Sequence, residues 1–198
     1  MKAAYFLIII GLVVIMGGCS YISSQNEMVE LQQGVESQWG NVESSYQRRA
    51  DLIPNLVETA KAAAETEKEI FSGIAAARAN IGNMTISKEI LNDPAAFQKF
   101  QEAQGQLGSA LSKLLVIQER YPDLKSNTQF QQLANSLERT ENRINVERNK
   151  FNEEAQAYNT YIKKFPSSIW AGIGNFDEVA YFKANEGANV APQVDFSN

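Results

Sequence analysis

From Met28 onward, apolar residues recur at helical spacing, and one register persists for many turns. Met28, Val35, Val42, Leu56, Ala63, Ile70 and Ala77 stand at multiples of seven, and a second row of Trp39, Tyr46, Ile53, Ala60, Ile74 and Ile81 runs four positions behind. Two apolar rows at this spacing are what helices packed nearly parallel in a bundle require. The register predicts one helix from about Asn26 to Ile81, ~55 residues or ~80 Å long at 1.5 Å per residue. Pro54 should kink or split it, because proline has no amide proton for the helical ladder.

Gly82-Asn83-Met84-Thr85 ends this helix, and Asn92-Asp93-Pro94 begins another, with Asp93 as cap and Pro94 at the first helical position. Phe97, Phe100, Leu107, Leu111, Leu114 and Tyr121 form its stripe, which stops at Tyr121-Pro122. Ser126 is the expected cap of a third long helix, with rows Phe130, Leu137, Ile144, Phe151, Tyr158, Phe165 and Ala134, Ala155, Ile162. Long helices joined by so few residues must pack antiparallel. No strand-like alternation of any length interrupts the pattern. The expected fold is therefore all-α, an elongated up-and-down bundle of three to four long helices. After Pro166 the helical period fades, and Trp170, Phe176, Tyr181, Phe182 and Phe196 stand among glycines and asparagines. Such a tail either straps back over the bundle or docks on a neighbouring molecule.

The N-terminus has a different pattern. Lys2 precedes an uncharged apolar run from Ala3 to Met16, followed by Gly17-Gly18-Cys19-Ser20. Ile15 to Cys19 resembles a bacterial lipobox, which implies cleavage before Cys19 and its acylation. Several acyl chains would anchor stably, at ~0.8 kcal/mol per buried methylene. The alternative is a retained signal-anchor helix, since counting on to Ile22 brings the run near the ~20 residues a span needs. Either way the remaining chain is expected outside the cytoplasm, tethered in the cell envelope. An acylated Cys19 followed by Ser20 would suit outer-membrane sorting. The expected layout is a signal or anchor segment at 1–18, a linker at 19–26, the bundle at 27–165 and an aromatic tail at 166–198.

Composition narrows the chemistry. Lys and Arg number 18 against 23 Asp and Glu, a net charge of −5. This argues against a phosphate-tracking nucleic-acid binder. Histidine is absent and Cys19 is the single cysteine, so a histidine-based triad, a His/Cys zinc site and an internal disulfide are ruled out. No cofactor or metal is expected. Gly172-Ile173-Gly174 follows no strand and so is not a nucleotide loop. Lys163-Lys164 reads as a solvated helix end, and Tyr46, Tyr158 and Tyr161 as packed rings.

The charges that break the stripes remain. Arg49 stands where the first row calls for an apolar residue, and Glu141 and Arg148 fall on the inner row of the third helix. Unpaired, each would cost several kcal/mol. The expected arrangement is a buried network in which Glu141 bridges Arg49 and Arg148, with Asp51 and Asn55 near enough in sequence to contribute. Three readings stay open: ions that fix helix register, a groove or oligomer interface, and a ligand or catalytic site around Glu141.

Several segments together resemble the LemA family of bacterial membrane proteins. They are Trp39, Asn41-Val42, Gln47-Arg48-Arg49, Asp51-Leu52-Ile53-Pro54-Asn55-Leu56-Val57, Tyr121-Pro122-Asp123-Leu124, Glu141-Asn142-Arg143-Ile144, Arg148, Phe151-Asn152, Tyr158-Asn159 and the aromatic stretch from Phe165-Pro166. The resemblance covers about residues 26 to 198. It implies an N-terminal membrane helix, a four-helix-type extracytoplasmic bundle and no established activity. The expected function is non-enzymatic: a membrane-anchored envelope protein acting by self-association or as a scaffold, hence a homo-oligomer or the companion of a membrane protein. Trp170, Phe176, Tyr181 and Phe182 are its candidate interface. The alternatives are an adaptor of a neighbouring membrane protein such as a peptidase, and a hydrolase using Glu141.

Overall fold

The computed structural model describes residues 2–84 and 88–183. Helix α1 runs unbroken over Lys2–Ala63, and α2 follows at Lys68–Gly82. A short 3-10 segment, Lys88–Asn92, leads to α3 at Pro94–Ile117. A second 3-10 turn and α4 (Pro122–Ser126) connect to α5, Thr128–Lys163, and α6 spans Ser167–Gly174. Every regular element among the described residues is helical, as the periodicity requires.

The topology is up-down-up-down. Helix α5 runs antiparallel to α1, with Arg49 facing Glu141 and Gln38 facing Glu147. Helix α2 folds back so that Phe71 meets Lys61, and the chain returns until Lys88 pairs with Glu36 at 3.2 Å. Helix α3 then rises beside α1, bringing Phe100 to Trp39 and Tyr46 and Gln104 to Arg49.

Three boundaries differ from the sequence expectation. The expected helix of residues 26–81 turns back at 64–67, not at Pro54, which α1 carries in its interior. No glycine or proline marks this turn. Tertiary ties hold it: Thr66 Oγ1 lies 2.8 Å from the Tyr121 hydroxyl, which donates to Glu67 Oε1 at 3.0 Å, and Arg120 pairs with Glu67 at 3.2 Å. Asn127, not Ser126, caps α5, its Oδ1 accepting from Phe130 N at 3.0 Å. Residues 19–26 are part of α1 where a linker was expected. Asp93 does cap α3, accepting from the amides of Ala95 and Ala96. Thr85 and Phe196 lie outside the described residues.

The core is two clusters in line along the bundle. The first centres on Trp39, packed against Phe97, Phe100, Phe151 and Phe182 with ring centroids 5.6–6.1 Å apart. The second joins Ile53, Leu56 and Ala60 to Phe71 and Ile74 of α2, Leu107 to Ile117 of α3, and Phe130 and Leu137 of α5. Phe165, expected on the inner row, is 82% exposed because α5 ends two residues before it. Trp39 is 1% exposed, so Trp39→Ala is expected to destabilise the bundle by about 3–5 kcal/mol. Denaturant unfolding followed by circular dichroism measures this directly.

Candidate functional site

Between the two apolar clusters lies a polar layer. Arg49 occupies the α1 register between Tyr46 and Ile53 and is 3% exposed. Its Nη1 donates to both carboxylate oxygens of Glu141, at 2.9 and 3.1 Å, and its Nη2 donates to Gln104 Oε1 on α3. The guanidinium also stacks over the Tyr46 ring, 5.0 Å from its centroid. One side chain of α1 thus ties α3 and α5 at one level. The Glu141 side chain is 37% exposed and faces a cavity of about 390 Å³, lined also by Gly105, Gly108, Asn145 and Arg148.

The expected three-way bridge is not what forms. Arg148 leaves Glu141 to Arg49, lies over the Phe182 ring at 4.6 Å and donates to the Lys183 carbonyl at 3.0 Å. Asp51 is exposed and accepts from Gln47, and Asn55 is exposed with its carbonyl accepting from Thr59. Neither joins the layer. Both face away because they lie two and six residues from Arg49, off its side of the helix.

A buried carboxylate went unforeseen. Glu147 is 1% exposed, accepts from Gln38 Nε2 at 2.7 Å and is ion-paired with Arg143. The signal lay in a third heptad row of small and polar residues. Gln38 and Ser45 on α1 face Glu147 and Thr140 on α5 where these two helices meet. Ser24, Ser45 and Thr140 are buried, and the hydroxyls of Ser45 and Thr140 bond back to their own helices at 2.9 and 2.8 Å.

The tail straps the bundle through side-chain amides. Asn159 donates to the Val179 carbonyl at 2.8 Å and accepts from the Val179 amide at 2.9 Å. Asn152, two turns earlier, grips Phe182 in the same double fashion, both bonds at 2.9 Å, and Gln101 of α3 grips Lys183. Each carboxamide mimics a neighbouring strand. Phe182, expected at an interface, is 6% exposed inside the first core cluster, and Phe176 packs partly buried against it. Trp170 packs edge-on against Tyr21, while Tyr181 is 40% exposed. Burial and the Asp177 charge push the Tyr158 hydroxyl up to about 12, so it stays a neutral packed group at neutral pH.

Both Glu141 oxygens are engaged by Arg49, and the other carboxylate lining the cavity is Glu138. Among the described residues no group of three or more Cys, Asp or Glu side chains could hold a metal ion.

The LemA family profile matches residues 38–196, which include the whole polar layer and the strap. The chain belongs to the LemA family. Similar curated proteins are the magnetosome protein MamQ of Magnetospirillum gryphiswaldense, 29% identical, and MamQ 1 and MamQ 2 of Paramagnetospirillum magneticum, each 27% identical. Each comparison covers 85% of this chain and 69% of the relative. These names state no enzymatic activity. The helical fold and the apolar N-terminal helix agree with what the resemblance implied for a LemA member.

Two predictions test the layer. Arg49→Ala and Glu141→Ala are each expected to cost up to about 3 kcal/mol, the low end for a pair that leaves a buried charge behind, because solvent reaches Glu141. The double variant should recover part of the summed loss in a thermal-melt cycle, and strict additivity would show that the pair is not coupled. For Glu147, the bond from Gln38 outweighs burial and, with the charges of Arg143 and Lys150, holds the carboxyl below its ordinary 4.5. A lowered native value means its stabilisation is fully present above 4.5 and is lost as pH falls below 4.5 through the lowered native value. The melting-temperature gap between the native chain and Glu147→Gln should therefore shrink from neutral pH to about pH 3; a constant gap would contradict this.

Proposed function

We propose that this LemA-family protein is a non-catalytic, membrane-anchored scaffold of the bacterial envelope that works by association. One observation carries the reading: the apolar segment and the first core helix are a single helix. At its N-terminal end α1 is long and apolar enough to cross a membrane. Its exposed side chains there, such as Ile8, Leu12 and Ile15, are more than half exposed, which suits hydrocarbon and not water. Lys2 is the only Lys or Arg before Arg48, which supports a cytoplasmic N-terminus and an external bundle. Cys19 is exposed on α1, so the lipobox-like segment supports lipid attachment as the anchor, with an uncleaved span as the alternative.

The internal groups support structure over catalysis: Arg49 and Glu141 satisfy each other, Glu147 is met by Gln38 and Arg143, and the tail closes over the aromatic core. The relatives' names as magnetosome proteins support a place in a membrane-associated assembly. The decisive experiment is the mass of the detergent-solubilised full chain by light scattering. A homo-oligomer or a stoichiometric co-purifying membrane protein is expected, and a lone monomer would overturn the scaffold. Fatty-acid labelling of the native chain against Cys19→Ala separates the two anchors, with label expected on the native chain alone.

A further inference from the structure

The corner between α5 and α6 carries the most exposed aromatic ring among the described residues. Phe165 is 82% exposed, Ile169 is 50% and Ile173 is 64%, at successive intervals of four residues. The other side of α6 is used: Ser167 and Ala171 are buried, and Trp170 meets Tyr21 edge-on at 5.3 Å. The depth of this corner can be read on α1 as on a ruler. Trp170 lies against Tyr21, and a Cβ placed on Gly174 would come 2.7 Å from Gln25 Nε2. Both contacts keep the same sequence offset, so α6 runs alongside α1 in the same direction. Its first turn is therefore level with the stretch from Gly18 to Tyr21, where the apolar run gives way to the bundle.

We propose that this corner is a lipid-contacting foot, in which Phe165 and Ile169 enter the surface of the bilayer that holds α1, with Trp170 and Tyr21 at the boundary. The inference rests on the membrane-anchored reading above, but not on the kind of anchor. A spanning helix would leave the bilayer near Ile22, and acyl chains on Cys19 would set the lipid surface at the same level. Met16 and Ile22, 71% and 60% exposed on α1, border the same height, so the apolar collar continues from one helix to the other. Lys163 and Lys164 flank the corner, Lys163 paired with Glu178 at 2.6 Å. Lysines so placed keep their charge among headgroups while their stems lie along apolar surface. Aromatic rings with a polar edge favour that same boundary.

The chain contains two tryptophans, Trp39 and Trp170, which makes the test direct. Trp39 is 1% exposed in the core and stands ~27 Å along α1 from Tyr21 at 1.5 Å per residue, beyond the reach of lipid-borne quenchers. The full chain would be reconstituted into phosphatidylcholine–phosphatidylglycerol vesicles whose acyl chains are brominated near the headgroup end or near the methyl end. Bromine near the headgroup end is expected to remove most of the Trp170 emission, and bromine near the methyl end much less. Trp170→Phe should abolish the quenched component. Phe165→Ser with Ile169→Ser, both exposed positions, should strongly reduce quenching while leaving the melting temperature and vesicle flotation unchanged.

A chain that floats with the vesicles yet shows no quenching of Trp170 would overturn the foot and leave the anchor standing. A chain that does not float overturns both. Cross-linking of Phe165→Cys between copies, with Trp170 unquenched, would assign the face to a second copy of the chain and also overturn the proposal.

Discussion

A guanidinium taken out of water organises the bundle. Arg49 sits where a heptad of leucine-like residues would otherwise continue, and its charge must be met by groups from two other helices at one height. Glu141 and Gln104 meet it, so sliding α3 or α5 along α1 by a turn would strand a buried cation. Apolar rows alone tolerate such slips, because one aliphatic side chain replaces another at similar energy. The polar layer thus contributes less to total stability than the aromatic cluster around Trp39, and more to selecting a single alignment of the helices. It also divides the core into two apolar halves, with most of the buried rings in the first.

The strap adds a second constraint of a different kind. Asn152, Asn159 and Gln101 bond to main-chain groups, so they specify the path of residues 179–183 without specifying most of the side chains. Phe182 supplies the specific element by filling the gap among Trp39, Phe97 and Phe151. The tail is for this reason part of the fold. Without it, one side of the first core cluster would face water, and a chain shortened before Val179 would expose Trp39 and its neighbours.

Much of this was legible in the sequence, and the failures have physical causes. The heptad rows gave the helices and named about two thirds of the buried apolar residues, because burial of a helix face leaves a period in the chain. Arg49 and Glu141 were visible as breaks in those rows, and the structure brings them together. The turn at 64–67 was not visible, since its cause lies in Tyr121 and Arg120, more than fifty residues away. Arg148 was read as a partner for Glu141 because the row shows which side a residue faces, not which group reaches it first; the tail carbonyl at Lys183 does. Glu147 was missed because a row of Ser, Thr and Gln looks like a solvated face. It is the seam along which α1 and α5 meet, where polar side chains satisfy one another or bond back to their own helices.

The absence of a hinge between the apolar end of α1 and the core has a mechanical consequence. Domains joined to a membrane by a flexible tether sample many heights and headings, whereas a retained, spanning α1 would make this bundle an extension of the rod that enters the bilayer. Its distance from the membrane and the compass direction of each of its faces would then be set by the helical screw. Adding one residue between Ile22 and Met28 would lift the bundle by about 1.5 Å and turn it by about 100°, presenting a different side to anything fixed in the same membrane. The length of that short stretch is then itself a specification of which face meets a neighbour.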